Sequence, residues 1–201
     1  MNDICKSILK ETNFLNFNLS TLRKNGKIQD WVWAERPGNR KAVCIAAVIR
    51  EAITNKTGDH LRPQNYQADD RLIVTKEFRI PLEGYEWGLP AGLIDENESV
   101  EETAKRELIE ETGCEITRVL DTTPFLFNSP GMTNESIAIV YAEAKSIGEQ
   151  KLEGGEDIEV HFMNRREVRQ LMHEARDGQH MVGAKAWMIF REFVTNTSHF
   201  F

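Results

Sequence analysis

Residues 92–114 read GLIDENESVEETAKRELIEETGC, and they hold eight carboxylates but only two basic side chains. Within this stretch, Ser99 followed by Glu102 has the pattern of a capping box, which starts a helix. Gly113 is the residue type at which helices commonly end, because glycine adopts the left-handed backbone conformation easily. The sequence therefore predicts a helix between Ser99 and Gly113.

The predicted helix concentrates negative charge on one face. Glu107, Glu110 and Glu111 are neighbours there, because residues three and four positions apart share a face. Each pair of like charges destabilises an isolated helix by about 0.2–0.5 kcal/mol. The face is either an ordinary solvated surface or a cage for hard divalent cations such as Mg²⁺, which prefer carboxylate oxygen. The charge pattern alone favours the solvated surface.

The spacing of the whole stretch favours the cage. Its glycine and charged positions are separated by fixed intervals: Gly92, Glu98, Arg106, Glu107, Glu110, Glu111 and Gly113. This pattern resembles the signature of the Nudix hydrolases at every charged and glycine position, while Cys114 stands where that family usually has an aliphatic residue. The resemblance implies an α/β fold, the Nudix α/β/α sandwich, in which a mixed sheet lies between helices. It also implies hydrolysis of a nucleoside diphosphate linked to another group.

The resemblance implies a metal site as well. Glu107 and Glu111 match the principal metal ligands, and they are catalytic because the bound ions are the catalyst. Glu110 matches an additional or outer ligand. The backbone carbonyl of Ala91 completes the implied set. The implied cofactor is Mg²⁺, or Mn²⁺ in its place, with two or three ions bound. Such ions neutralise the charge of a diphosphate and lower the pKa of a bound water.

Further residues are implied to assist these ligands. Glu98 and Arg106 are expected to pair and to hold the loop against the helix, with Gly92 in the same supporting layer. In the loop EGGEDIEV, Glu156 matches a glutamate that orients or deprotonates the attacking water. Glu153 is its nearest rival, and geometry must decide between the two.

Sequences outside the signature resemble the ADP-ribose pyrophosphatase branch of the family. PAGLID (90–95) and SPGMTNE (129–135) carry that similarity, and Pro130 lies sixteen residues beyond Cys114, as in the branch. The implied reaction converts ADP-ribose, or a close ADP-sugar, to AMP and a sugar phosphate. The alternatives are another substrate, such as GDP-mannose or a dinucleotide, and a domain that senses a nucleotide without cleaving it.

Arginines and aromatic residues are the implied substrate-binding groups. Arg79 in EFRIP and, more loosely, Arg36 in WAERPG match arginines that clamp the diphosphate, a task that suits the planar guanidinium. Trp31 matches an aromatic residue that stacks on adenine. Trp33 fits the same role, because alternation places both indoles on one side of a strand. Pro130 belongs to the same set.

The branch also predicts how the chain is organised. Residues 1–38 are expected to form an N-terminal β-hairpin segment for dimerisation, and residues 39–201 the hydrolase domain. In the branch this segment is exchanged across a homodimer, so that the adenine site is shared between subunits. Asn-Gly at residues 25–26 predicts the hairpin turn, because both residues tolerate positive φ.

One position departs from the branch. A glutamate is usual where this chain has Gly88, in the run GYEWGLPAG. Glu86 lies two residues earlier, and alternation along a strand keeps it on the same face. The departure leaves the prediction of a hydrolase intact, but it bears on the fine structure of the metal site and on ADP-ribose as the substrate.

Apolar runs and composition complete the prediction. Strands are expected at two places within 13–36 and at 42–49, 71–79, 136–144 and 158–164, helices after Asn164 and at 183–194, and a loop at 51–70. The net charge of -7, without a basic run, disfavours nucleic acid and anionic membrane as partners. The N-terminus lacks the apolar core of a signal peptide, and no run approaches the roughly 18 apolar residues of a membrane span. The 3 scattered cysteines argue against a disulfide framework or a zinc site, so we expect a cytoplasmic protein.

Overall fold

The computed structural model describes residues 3–50, 70–152 and 154–195. Its N-terminal part is an antiparallel sheet of three consecutive strands. They are β1 (Asp3–Lys10), β2 (Asn16–Lys24) and β3 (Lys27–Glu35). The predicted hairpin turn is confirmed, with φ of 50° at Asn25 and 73° at Gly26. The expected two strands become three because β1, a short alternating segment among charged residues, gives only a weak sequence signal.

The larger sheet has nine strands. In chain order they are β4 (Ala42–Ile49), β5 (Arg71–Arg79), β6 (Gly84–Gly88), β7 (Ala91–Leu93), β8 (Cys114–Thr122), β9 (Leu126–Phe127), β10 (Ser136–Ser146), β11 (Ile158–Met163) and β12 (Met181–Val182). The four strands predicted beyond the hairpin are confirmed as β4, β5, β10 and β11. The other five are very short or, in β8, largely polar, so that no apolar run marks them. The predicted loop at 51–70 lies outside the described residues except for Asp70.

The sheet is mixed, as predicted. Its main strand order is β12-β6-β5-β4-β10-β8, with β11 beside β5, β7 beside β4 and β9 beside β10. The central strands β4 and β10 are parallel, whereas β4 and β5 are antiparallel. β7 pairs with β4 so that Ala91 lies opposite Cys44 and Gly92 opposite Val43. This register anchors the start of the acidic stretch to a central strand.

Three helices complete the fold: α1 (Val100–Thr112), α2 (Arg165–Arg176) and α3 (Ala184–Thr195). Two short 3-10 turns lie at Pro37–Asn39 and Ile80–Leu82. The predicted limits of α1 are confirmed, because Ser99 and Glu102 form the capping box and Gly113 ends the helix with φ of 65°. These caps fix where the acidic face of α1 begins and ends.

Helices cover both faces of the large sheet. Every residue of β4 from Ala42 to Val48 is buried, as in a strand with both faces covered. On one face, Ile45 packs in a cluster with Leu108 of α1. On the other face, Ala46 packs in a cluster with residues of α2 and α3, among them Phe190. The α/β/α sandwich is therefore confirmed. Among the described residues, no helix is both long and apolar enough to cross a membrane.

Candidate active site

The acidic helix, strand β7 and the loop before β11 meet around one cavity of about 370 Å³. Its lining residues are Arg40, Ala91, Gly92, Leu93, Asp95, Arg106, Glu107, Glu110, Glu111 and Glu156. The four residues predicted to bind metal are thus brought together with the predicted loop base, Glu156. Arg40 and Asp95, which the signature does not single out, form an ion pair at the same cavity.

Glu111 is the most buried carboxylate of this cavity, with only 6% of its surface exposed. One of its oxygens accepts a hydrogen bond from the backbone N–H of Ala91 at 3.1 Å. Burial raises the pKa of Glu111 to about 8, and the nearby charges of Glu107, Glu77 and Glu156 act in the same direction. Burial and the neighbouring like charges disfavour the ionised form of Glu111, and a bound cation would stabilise that form.

Glu107 depends on the glycine at position 92. A Cβ atom built on Gly92 would lie 1.9 Å from both Cδ and Oε1 of Glu107, which is far inside contact distance. Burial raises the pKa of Glu107 as well, although the guanidinium of Arg106 opposes the shift. The backbone of β7 and the carboxylate on α1 can approach each other only because residue 92 has no side chain.

Arg106 connects more carboxylates than the predicted pair. Its Nε and Nη2 atoms each donate to Glu98 at 2.9 Å. Its Nη1 donates to Glu107 at 2.8 Å and to Glu110 at 3.1 Å. Together with the hydroxyl of Thr103, Arg106 lowers the pKa of Glu98 to about 2. Arg106 therefore ties the loop before α1 to the acidic face of the helix.

The chemistry of the donor set suits a hard divalent cation, since four glutamates and an aspartate, whose side chains end in carboxylate oxygens, line the cavity. In residues 3–50, 70–152 and 154–195, no three acidic, histidine or cysteine side chains lie close enough together to hold one ion. In this structure Glu107 and Glu110 instead accept hydrogen bonds from Arg106. Rotation of these two side chains away from Arg106 would free their oxygens, and the buried Glu111 carboxyl would gain a counter-charge. The residues present thus fit Mg²⁺.

The loop that carries Glu156 is attached on both sides. Before Glu156, the backbone N–H of Lys151 donates to a carbonyl of α1 at 2.7 Å. After Glu156, the carboxylate of Asp157 accepts a hydrogen bond from the hydroxyl of Tyr85 at 2.6 Å. The rival base, Glu153, lies outside the described residues. The position of Glu156 at the cavity is consistent with the role of a loop base.

Arg79 is held by two carboxylates. Its Nη1 donates to Glu77 at 2.6 Å, and its Nε donates to Glu86 at 3.0 Å. Glu86, on the same face as Gly88, contacts Arg79 and is not among the residues lining the acidic cavity. The sequence alone assigns no role to Glu77, because only the pairing of β5 with β6 places Glu77 opposite Glu86.

Arg36, the looser candidate for the diphosphate clamp, pairs with Glu135 through a hydrogen bond of 2.7 Å. Glu135 also accepts a hydrogen bond from the amide of Asn128 at 2.8 Å. Burial opposes ionisation of Glu135, but Arg36 and Asn128 outweigh it and lower the pKa of that carboxyl group. Glu135 lies in the SPGMTNE stretch, whose resemblance to the branch assigns a role to Pro130 but none to this carboxylate.

A second, largely apolar cavity of about 430 Å³ contains the predicted base-binding residues. It is lined by Ser20, Trp31, Trp33, Phe127, Pro130, Thr133 and Asn134. The indole N–H of Trp31 donates to the carbonyl of Gly131 at 2.8 Å, while 48% of the surface of Trp31 remains exposed. Trp31, Trp33 and Pro130 are therefore together, with indole surface open to a flat ligand.

The raised pKa of Glu111 leads to a prediction about stability. Burial on folding raises the pKa of this carboxyl group from 4.5 to about 8. Between these values the folded protein binds more protons, so stability is highest at the acid end and falls as pH rises. We expect the melting temperature of the metal-free protein to decrease over this range. Glu111→Gln, which cannot titrate there, should show a smaller decrease, and identical pH profiles would contradict the prediction.

Comparison with known proteins places this geometry among related sequences. Residues 65–182 match the family model described as the NUDIX domain. The chain is 34% identical over 142 residues to an uncharacterized Nudix hydrolase of Schizosaccharomyces pombe. The aligned region covers 68% of this chain and 63% of the relative. It is 34% identical to an ADP-ribose pyrophosphatase of Saccharomyces cerevisiae, over 59% of this chain and 47% of the relative.

A bacterial relative and a solved structure agree with these matches. An ADP-ribose pyrophosphatase of Bacillus subtilis is 39% identical, over 47% of this chain and 51% of the relative. The chain therefore spans about half to two thirds of the length of the curated relatives it matches. A crystal structure of an ADP compounds hydrolase superposes with a TM-score of 0.68 and 25% identity, covering 98% of this chain and 96% of that one.

Proposed function

The chain belongs to the Nudix family, and we propose that it is a Mg²⁺-dependent hydrolase of the diphosphate in ADP-ribose or a related ADP-sugar. The products would be AMP and a sugar phosphate. One observation carries the proposal: glutamates of α1 and of the loop before β11 line a single cavity together with β7. Hydrolysis of a diphosphate requires charge neutralisation and an activated water, and carboxylates that hold divalent cations supply both.

Five residues of the acidic cavity have a task in the proposed reaction. Glu107, Glu110, Glu111 and the carbonyl of Ala91 would hold Mg²⁺, which when bound neutralises phosphate charge and acidifies a water. Glu156 accepts a proton from the attacking water as the water oxygen bonds to phosphorus. The bond from that phosphorus to the bridging oxygen breaks, and the leaving phosphate keeps the electron pair. No covalent intermediate with the protein is needed.

The two arginines and the apolar cavity supply substrate binding in this proposal. Arg79 and Arg36 would contact the non-reacting phosphate oxygens, since a guanidinium presents paired donors to such groups. Trp31 would stack on the adenine, with Pro130 bounding the same cavity. The exposed half of the Trp31 indole is the surface that supports this assignment.

Replacement of Trp31 by alanine is expected to weaken substrate binding. Stacking of a base on an aromatic side chain contributes about 1–3 kcal/mol, so KM for ADP-ribose should rise about 5- to 160-fold. The kcat value should change little, because the chemistry occurs in the other cavity. Steady-state kinetics would test this, with Trp31→Phe as the variant that retains a ring. A fall in kcat at constant KM would contradict the assignment.

The substrate itself is tested by a product panel. The protein would be incubated with Mg²⁺ and ADP-ribose, GDP-mannose or NADH, with and without a chelator, and the products separated by chromatography. Relatives named ADP-ribose pyrophosphatase support ADP-ribose as the preferred substrate. AMP and ribose phosphate should form fastest, and the chelator should stop their formation. Faster cleavage of GDP-mannose would replace the ADP-sugar proposal with the other nucleotide sugar.

The N-terminal sheet supports a homodimer. Its strands expose large apolar side chains, including Ile4, Ile28 and Val32, each more than half exposed. A small sheet needs a packing partner for independent stability. Within the described chain, the backbone hydrogen bond from Ala34 to Met132 ties this sheet to the rest. We therefore assign residues 1–38 to dimerisation and residues 39–201 to the hydrolase domain.

The dimer has a direct test. Sedimentation should give twice the mass of one chain, and Val32→Asp should shift the equilibrium toward the monomer, because it places a charge on the covered surface. Met188→Asp, which places the same charge on an exposed apolar residue of α3, is the matched control and should remain dimeric. A wild-type protein that stays monomeric at high concentration would contradict the assignment.

A further inference from the structure

The chain departs from its branch at Gly88, and Glu86, two residues earlier, is the carboxylate that alternation keeps on the same face of the strand. In the structure Glu86 does not line the acidic cavity. Its Oε2 instead accepts a hydrogen bond from Nε of Arg79 at 3.0 Å. The question is what this contact does for Arg79.

Two carboxylates fix the guanidinium of Arg79 along two of its edges. Glu77 lies opposite Glu86 in the pairing of β5 with β6, and it accepts a hydrogen bond from Nη1 of Arg79 at 2.6 Å. A planar guanidinium held through both Nε and Nη1 has a defined orientation. Over the described part of the chain, Nη2 has no hydrogen-bond partner, and the Arg79 side chain is 44% exposed. Donors thus remain for an external anion.

Glu86 is itself confined from its other side. A Cβ atom built on Gly183 would lie 2.4 Å from Oε1 of Glu86. Gly183 is placed there by the parallel pairing of Met181 with Glu86 and by the hydrogen bond from its N–H to the carbonyl of Trp87 at 3.1 Å. The Glu86 carboxylate therefore occupies space that only a glycine leaves open, between the start of α3 and Arg79.

The contribution of these ion pairs to folding stability does not explain why Arg79 contacts two carboxylates. An exposed ion pair contributes little to folding stability, and a second carboxylate on one arginine adds like-charge repulsion. The charge of Glu77 acts on Glu111 and the charge of Glu156 acts on Glu77, so the carboxylates around Arg79 interact electrostatically with those of the acidic cavity. What the two carboxylates do provide is a fixed orientation of the Arg79 guanidinium, because they accept hydrogen bonds from its Nε and Nη1 atoms.

We propose that Glu86 is a positioning residue that orients the Arg79 guanidinium toward the diphosphate of the substrate. The inference rests on the proposed function, in which Arg79 contacts that diphosphate. Gly183 contributes to this positioning, because it leaves room for the Glu86 carboxylate. Glu86 does not touch the substrate and acts only through Arg79.

A double-mutant cycle tests this dependence. Glu86→Ala should raise KM for ADP-ribose about tenfold, as is typical when a group supporting a functional residue is removed, with kcat changing far less. In the Arg79→Ala background, the same substitution should change KM by less than about twofold, since there is no guanidinium left to orient. An equal rise in both backgrounds, or no rise in the wild-type background, would overturn the proposal.

Two further variants exclude a purely structural effect. Gly183→Ala keeps Glu86 but places a methyl group where the Glu86 carboxylate lies. It should therefore raise KM as Glu86→Ala does, and a normal KM would overturn the proposal. Glu86→Gln keeps the shape and one acceptor oxygen, so it should recover part of the loss. Glu115→Gln removes an exposed ion pair with Lys145 elsewhere and should leave KM unchanged.

Wild-type turnover in the same assay distinguishes failure of the proposed hydrolysis from failure of the role assigned to Glu86. Absence of ADP-ribose hydrolysis by the folded wild-type protein would overturn the proposed function and, with it, the role of Glu86. Normal wild-type turnover with additive costs in the cycle would overturn the role of Glu86 alone. Melting temperatures of all variants should lie close to that of the wild type.

Discussion

Replacement of Glu111 by glutamine should lower kcat for ADP-ribose by about 100- to 1000-fold. Bound metal stabilises the charge of the transition state by several kcal/mol, and each 1.36 kcal/mol corresponds to about tenfold in rate. Glutamine keeps the shape of Glu111 and can still accept the hydrogen bond from Ala91. It cannot ionise, whereas a divalent cation favours an anionic oxygen ligand at this position.

The same substitution should make the folded protein more stable without metal, because it removes a buried ionisable group whose pKa is raised to about 8. Loss of activity together with a higher melting temperature would separate catalysis from folding. Glu115→Gln, an exposed glutamate on β8, is the matched control and should keep full activity. A Glu111→Gln protein with more than about a tenth of wild-type kcat would contradict the metal-binding role.

Replacement of Gly92 by alanine should be the second most damaging change, although it removes no functional group. The new methyl group would lie 1.9 Å from the Glu107 carboxylate, so that side chain must leave its place in the cavity. Displacing a ligand or its support typically costs about 10- to 100-fold in activity. We expect kcat to fall by that factor and the Mg²⁺ concentration for half-maximal rate to rise.

Backbone strain does not explain this expected loss, because the positive-φ glycines of the described chain do not include Gly92. Alanine therefore suits its backbone, and the effect must come from Glu107. Gly148→Ala is the matched control, since a Cβ atom there would meet nothing within 4 Å. Kinetics and melting temperature should be measured for both variants. Unchanged activity of Gly92→Ala would show that Glu107 has no fixed place at the site.

The helix and the central strands could be predicted because their signals are local. Ser99 and Glu102 are three residues apart, and their capping box depends on nothing outside the first turn of α1. The run in β4 is apolar on both faces, as a strand between two layers of helices must be. The acidic cavity followed from the fixed spacing along α1, together with the resemblance of that spacing to a known family.

The partners of the arginines could not be predicted, because they depend on strand register. Glu77 and Glu86 meet only through the pairing of β5 with β6. Glu135 reaches Arg36 across 99 positions of sequence. The contact of Arg106 with three glutamates depends on how the loop before α1 folds back on the helix. A short strand such as β7 likewise has no pattern of its own and forms because β4 is beside it.

The distinction between a catalyst and a sensor decides the function. The most direct measurement is the initial rate of AMP release from ADP-ribose as a function of Mg²⁺ concentration, with ADP-ribose binding measured on the same protein. The rate should rise from background to saturation with Mg²⁺ and return to background in Glu111→Gln. Tight ADP-ribose binding without AMP release at any Mg²⁺ concentration would contradict hydrolysis and identify a nucleotide-sensing domain.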